Sequence, residues 1–213
     1  MTGETRIPRA PAVPPVPAAS EAAIDKAQLR KTLLAARRAI DPATRAAWDA
    51  RLCAGVMGWY AAQAGTLAGA APAGLAPIAL GVYWPLRGEP DLAPAYAALA
   101  VAGVALVLPV VLARDAPLGF AAWTPGEPMT VDTMGVAVPA ALRMVAAPPL
   151  LLVPCLGVNA QGYRLGYGGG YYDRTLATLP RPRTAGVVYA CMRAGFGAAA
   201  HDVALDAVLT EAG

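Results

Sequence analysis

The alternation of helical and strand-like segments predicts an α/β fold: a single domain whose mainly parallel sheet is flanked by helices, Rossmann-like and three-layered. Three observations carry the prediction. Residues 104–111 and 150–155 are continuous apolar runs of the kind found in strands buried on both faces. Segments of helical length separate such runs, several with apolar residues recurring on one face. No internal repeat is visible, and 213 residues suffice for one large domain with its own core.

The elements follow in order. Residues 1–20 carry Pro8, Pro11, Pro14, Pro15 and Pro17 and read as a flexible, polyproline-like tail. Residues 21–213 form the domain. Ser20 is placed to cap a first helix running to about Ile40, with Ile24, Leu29, Leu33 and Leu34 near one face. Asp41 and Pro42 then cap a second helix through Trp48, Leu52, Val56 and Trp59. The Ala/Gly/Pro segment 64–76 reads as a loop, with room for a frayed helix end. A strand over 78–84 leads into a turn at 85–90, then a helix over 93–102 and a strand over 104–111. Residues 120–123 form a short strand before the turn signal Pro125-Gly126. After the strand at 150–155, a glycine-rich loop at 162–170 opens into a helix over 171–179, and strands follow at 185–190 and 207–210. Ligands of open α/β sheets sit at the carboxyl ends of the strands, which brings loops 85–91, 111–119 and 157–170 into one neighbourhood.

Composition excludes several classes. Hydrophobic residues make up 57% of the chain and charged residues 15%, against a charged disordered protein or a coiled coil. The three cysteines, Cys53, Cys155 and Cys191, are far apart and the only histidine is His201, so neither a disulfide framework nor a structural zinc site is expected. Cys155 ends an apolar run and reads as a core thiol. A net charge of +3 is too mild for a dedicated nucleic-acid binder and suits an anionic small molecule equally well. The least polar long stretch, residues 61–84, is broken by Pro72 and Pro77, so no membrane span is expected. With no signal-peptide pattern in the first residues, a cytoplasmic protein is expected.

The stretch Gly162-Tyr163-Arg164-Leu165-Gly166-Tyr167-Gly168-Gly169-Gly170-Tyr171-Tyr172-Asp173-Arg174 holds the most chemical information. Glycines permit positive φ and close backbone approach, and successive exposed N–H groups make an anion nest. Arg164 adds a planar cationic fork suited to phosphate or carboxylate. Asp173, in the first helical turn, suits either a capping role or Mg²⁺. The string is neither a P-loop nor a dinucleotide fingerprint. On composition alone it fits a phosphate cradle and a tight structural loop about equally; the interleaved arginine and tyrosines favour the cradle.

RLGYGGGYYDR after a strand ending Pro-Cys-Leu-Gly resembles the signature of the 5-formyltetrahydrofolate cyclo-ligase family. Three further segments fit the resemblance. Lys26-Ala27-Gln28-Leu29-Arg30 is similar to the family's KxxLR element at the ATP site. The chain's only two lysines, Lys26 and Lys31, lie in this helix, and Lys26 and Arg30 share a face. Trp84 and Glu89 match an apolar residue and, five positions later, a glutamate at the folate site. His201-Asp202 opens a segment similar to the closing motif, with Asp202 as a second magnesium carboxylate and Asp206 as its near competitor. The lone His201 is not required by the resemblance.

The resemblance implies an enzyme for ATP-dependent cyclisation of 5-formyltetrahydrofolate. ATP would be co-substrate and Mg²⁺ the cofactor. The protein would act on small molecules as a monomer, without nucleic acid or membrane. It implies an ATP site of Lys26, Ala27, Gln28, Leu29, Arg30, Arg164, Leu165, Gly166, Tyr167, Gly168, Gly169, Gly170, Tyr171 and Tyr172. Lys26 and Arg164 would be catalytic, and Trp84, Glu89, Tyr167 and Tyr171 would face the folate. Asp173 and Asp202 would hold the metal. Phe120 and Trp123 suit either an apolar wall of that site or the core. The chain departs from many relatives in having Val158-Asn159 in place of Phe-Asp, and from some in having Gly169 in place of lysine. Two rival readings are a phosphosugar isomerase or CoA transferase on a similar sheet, and a binding protein without catalysis.

Overall fold

Helix formation begins where Asp25 accepts the Ala27 N–H at 2.8 Å, capping α1 (Lys26–Arg38). The cap is thus Asp25, whereas Ser20 and the proline-rich tail lie outside the residues the computed structural model describes, 25–68 and 78–213. Asp41 accepts the Thr44 N–H at 2.9 Å and starts α2 (Pro42–Ala68) with Pro42 in its first turn, as expected. α2 ends at Ala68, inside the segment 64–76 where a loop with a frayed helix end is expected. Residues 69–77 fall outside the described part.

The rest of the described chain comprises β1 (Leu80–Gly81), α3 (Ala93–Val101), β2 (Leu106–Val110), β3 (Gly119–Trp123), β4 (Met129–Val131), β5 (Ala137–Pro139), β6 (Met144–Val145), β7 (Leu150–Pro154), β8 (Gly157–Val158), β9 (Arg164–Leu165), α4 (Tyr171–Leu176), β10 (Arg183–Val187) and β11 (Ala207–Leu209). Seven strands make one sheet in the order β11-β10-β7-β1-β2-β3-β6. The first five of these run parallel, and β3 and β6 close one side antiparallel. The fold is therefore the expected α/β single domain with a mainly parallel sheet flanked by helices. The short hairpins β4–β5 and β8–β9 stand apart from the sheet.

The core explains the order. Leu150, Leu151, Leu152 and Val153 of β7 have no exposed surface, each stabilising the fold by roughly 2 kcal/mol. Phe120 and Trp123 are buried in the same cluster, Trp123 edge-on to Tyr96 and Trp84. Cys155 is buried with them, and burial pushes its thiol up to about 12, as a core thiol requires. Because β1 is followed on one side by β2 and flanked on the other by β7, the chain leaves β1 and β7 in opposite directions. That divergence opens a crevice at the carboxyl ends of β1 and β7.

Candidate active site

Three segments converge on the crevice. The loop after β1 supplies Arg87 and Glu89, the chain after β7 supplies Cys155 and the glycine loop, and α1 lies across both. α1 places Lys26, Arg30, Leu33 and Arg37 along one stripe, three or four residues apart. Arg37, only 1% exposed, reaches the switch point. Its guanidinium donates to Arg87 O at 3.2 Å, to Cys155 O at 3.5 Å and to the Tyr167 hydroxyl. It therefore ties α1 to the ends of both diverging strands and to the glycine loop. Arg45 of α2 donates to Arg37 O and Ile40 O, both at 3.3 Å, closing the carboxyl end of α1.

Glu89 is 5% exposed. One carboxylate oxygen accepts the Leu86 N–H at 2.8 Å; the other accepts the Tyr167 hydroxyl at 2.7 Å. Burial pushes its pKa up, against the opposing influence of Tyr167, the Leu86 N–H, Arg37 and Arg87. Tyr167 carries Arg87 5.0 Å from its ring centre. Burial and the neighbouring Glu89 raise the phenol's pKa, so it remains a donor. Trp84 is half-buried and packs edge-on against Trp123 at 6.1 Å, on the core side of this loop.

The second half of the site lies along the outer part of α1. Lys26 pairs with Asp202 at 3.0 Å, and Arg30 donates to Gly166 O at 2.8 Å. Gly168 has φ +97, which a side chain rarely adopts, and a Cβ placed there would come within 3.8 Å of the Arg30 guanidinium. Gly170, at φ +65, starts α4. α4 spans only six residues, ending before the expected Leu179, so its dipole contributes less here than the cations do. The 111–119 loop joins through Arg174, which donates to Ala116 O at 3.4 Å and lies 3.7 Å from Asp115.

Arg164 does not stand free as a phosphate fork. Its side chain is 4% exposed, lies 2.5 Å from Asp173 Oδ1 and donates to Val203 O at 3.1 Å. It holds Asp173 in place. Asp173 Oδ1 also accepts the Val203 N–H at 3.2 Å, which sets it one residue from Asp202. Burial works against ionised Asp202, but the Ala199 N–H and Lys26 outweigh it and lower its pKa. Asp206 instead binds the Thr184 N–H at 2.8 Å and Arg181 at 2.9 Å, a structural tie between β10 and β11. His201 is mostly exposed and 3.8 Å from Asp202. Asn159 anchors the β8–β9 hairpin, accepting from Tyr163 N at 2.9 Å and donating to Phe196 O at 2.9 Å. Tyr171 lies beside Arg174, which stands 5.2 Å from its ring centre.

Most of the expected site residues thus meet: Lys26, Arg30, Glu89, Arg164, the glycine loop, Asp173 and Asp202. Arg37 and Arg87 join them without having been singled out. The signal for Arg37 was available, since the stripe through Lys26 and Arg30 continues to it. Among the described residues no three His, Cys, Asp or Glu side chains gather as a metal cluster, and no helix is long and apolar enough to cross a membrane.

A parallel sheet with a cation-ringed glycine loop at its switch point defines an α/β protein suited to an anionic small ligand. The comparisons give the class a family. The model of the 5-formyltetrahydrofolate cyclo-ligase family matches residues 22–211, and the chain belongs to that family. A cyclo-ligase of Mycolicibacterium smegmatis is 31% identical over 159 residues, covering 71% of this chain and 74% of that relative. One of Mycoplasma pneumoniae is 41% identical over 61 residues, 28% of this chain and 37% of that relative's length. In fold the chain resembles the 5,10-methenyltetrahydrofolate synthetase structure from Mycoplasma pneumoniae, with TM-score 0.65, 22% identity, and coverage of 88% of this chain and 99% of that one. It resembles the synthetase of Aquifex aeolicus with TM-score 0.67, 24% identity, and coverage of 87% and 89%.

Proposed function

We propose that the chain converts 5-formyltetrahydrofolate and ATP into 5,10-methenyltetrahydrofolate, ADP and phosphate. The observation that supports it most is the single hydrogen bond between Tyr167 of the glycine loop and Glu89, 2.7 Å, which sets an anion cradle directly beside a buried carboxylate. A reaction that transfers a phosphoryl group from a polyphosphate to a formylated reduced pterin needs both in one crevice.

The N5-formyl oxygen attacks the γ-phosphorus, and the bond to ADP breaks with its electron pair leaving on ADP. N10 then attacks the formyl carbon of the resulting imidate phosphate and loses its proton, and the C–O bond to phosphate breaks. The protein's part is positioning and charge stabilisation, with no covalent step. Lys26 and Arg30 neutralise the phosphates, and the glycine-loop N–H groups from Gly166 to Gly170 orient them. Glu89 accepts N–H groups of the pterin, which requires it ionised. Tyr167 and Tyr171 stand between the two substrates.

Mg²⁺ fits the donor set. Asp173 Oδ1 accepts the N–H of Val203, the residue after Asp202, and each carboxylate uses one oxygen, Oδ1 and Oδ2 respectively, for its hydrogen bonds among the described residues. Two carboxylates with phosphate oxygens and water are what Mg²⁺ takes, rather than a cage of protein ligands. When bound it would supply charge neutralisation on the transferring phosphoryl group. Arg164 positions Asp173 for that role.

The test is to mix purified protein with 5-formyltetrahydrofolate and Mg-ATP and follow the methenyl product by absorbance, with ATP omitted as control. ATP-dependent product is expected. A folded protein and intact folate with no product would contradict the proposal.

A further inference from the structure

We propose that Tyr167, held by the buried Arg37, couples the two halves of the site, so that nucleotide on the glycine loop tightens the binding of the folate at Glu89. This inference rests on the functional reading above and adds a property to it.

The argument starts from Glu89. It is 5% exposed and both its oxygens already accept hydrogen bonds from the protein. An incoming pterin N–H therefore finds Glu89 in an orientation that Leu86 and Tyr167 have chosen. Leu86 belongs to the same turn and moves with it. Tyr167 does not: it belongs to the glycine loop, between Gly166 and Gly168. Gly166 O is the acceptor for Arg30 at 2.8 Å, and the Arg30 guanidinium lies against Gly168. The residues on either side of Tyr167 are thus held by a cation proposed to bind phosphate. Whatever fixes Arg30 and the loop N–H groups fixes the Tyr167 backbone, and through the hydroxyl the Glu89 carboxylate.

Arg37 makes this connection directional. The Tyr167 hydroxyl can donate to one partner and accept from others. Arg37 donates to it, which leaves its proton for Glu89. Arg37 is itself fixed by Arg87 O and Cys155 O, the chain ends of the crevice, so it is a rigid reference against which the glycine loop closes. Arg37 touches neither proposed substrate and is a positioning residue.

Coupling free energy is reciprocal, which gives the test an internal check. The dissociation constant of 5-formyltetrahydrofolate is measured with and without a non-hydrolysable ATP analogue and Mg²⁺, and that of the analogue with and without the folate. In the unaltered protein each ligand is expected to tighten the other by the same factor, at least about fivefold. Tyr167→Phe keeps the ring and loses the hydroxyl; its factor is expected to fall below about twofold while both ligands still bind. Arg37→Lys keeps the charge without the fork and is expected to give an intermediate factor. A Tyr167→Phe protein with unreduced coupling, or an unaltered protein with a factor of one, overturns the inference. Unreduced coupling in Arg37→Lys overturns the part assigned to Arg37. Failure of the functional reading looks different: the unaltered protein would form no methenyl product from 5-formyltetrahydrofolate and Mg-ATP, whereas failure of the coupling alone leaves that turnover intact.

Discussion

Glu89 and Asp202 both border the glycine loop, yet their surroundings move their ionisation in opposite directions. Glu89 is buried and linked to Arg37 through the Tyr167 hydroxyl; burial outweighs Tyr167, the Leu86 N–H, Arg37 and Arg87, and its pKa rises from an ordinary 4.5. Asp202 is half-buried, 3.0 Å from Lys26, and its pKa falls from an ordinary 3.8. The difference separates the site into an inner half of desolvated, hydrogen-bonded groups and an outer half of ion pairs, partly exposed at Lys26–Asp202 and buried at Arg164. The inner half suits a neutral heterocycle read by hydrogen bonds, and the outer half suits phosphates, whose charge the pairs must exchange for their own.

The linkage signs follow. The folded state prefers protonated Glu89, so its contribution to stability is greatest below 4.5 and declines as pH rises through its elevated folded pKa. Asp202 contributes above 3.8 and loses its contribution as pH falls through its depressed folded pKa. In the proposed reaction ionised Glu89 is the competent form, so kcat/KM for the folate should fall on the acid side at a higher pH than an ordinary glutamate would give. Glu89→Gln should abolish that limb, and a pH–rate profile unchanged by the substitution would remove Glu89 from folate recognition.

The largest expected effect strikes the inner half. Arg37→Met removes a buried cation with three acceptors and should destabilise the fold by about 3 kcal/mol in urea unfolding; a loss near zero would mean that the inner half is not held together through it. Next, Glu89→Gln should lower kcat/KM for the folate by about 30-fold, the worth of a charged hydrogen bond. In the outer half, Asp173→Asn should raise the Mg²⁺ concentration for half-maximal rate by about tenfold, with Asp206→Asn leaving it unchanged. The smallest effect belongs to Lys26→Met, whose partly exposed pair with Asp202 should contribute less than about 1 kcal/mol to stability and fade with salt. Its activity loss should be much larger than its stability loss.

The two halves were unequally legible in the sequence. The outer half was readable because Lys26, Arg30, the glycines, Asp173 and Asp202 are short-range patterns of chemically unusual residues. The inner half rests on contacts across 118 and 130 residues, Arg37 with Cys155 and Tyr167, which no local pattern reveals. Arg164 reads in the sequence as a fork suited to phosphate or carboxylate, and only the fold shows its partner, the Asp173 carboxylate. Helices and long strands were legible from periodicity, whereas β4, β5, β6, β8 and β9 have only two or three residues each, too few to show any period. The end of α2 at Ala68 was legible only as somewhere in 64–76, because an alanine-rich, glycine-containing segment can be helix or loop, and neighbouring structure decides between them.

The most direct test of the division into halves is a crossed measurement of KM for both substrates in Glu89→Gln and Arg30→Ala. Glu89→Gln should raise KM for 5-formyltetrahydrofolate severalfold and KM for ATP by less, and Arg30→Ala should do the reverse, the smaller rise in each being the coupling through Tyr167. If both substitutions raise both constants equally, or if each acts mainly on the other's substrate, the two-part site is wrong.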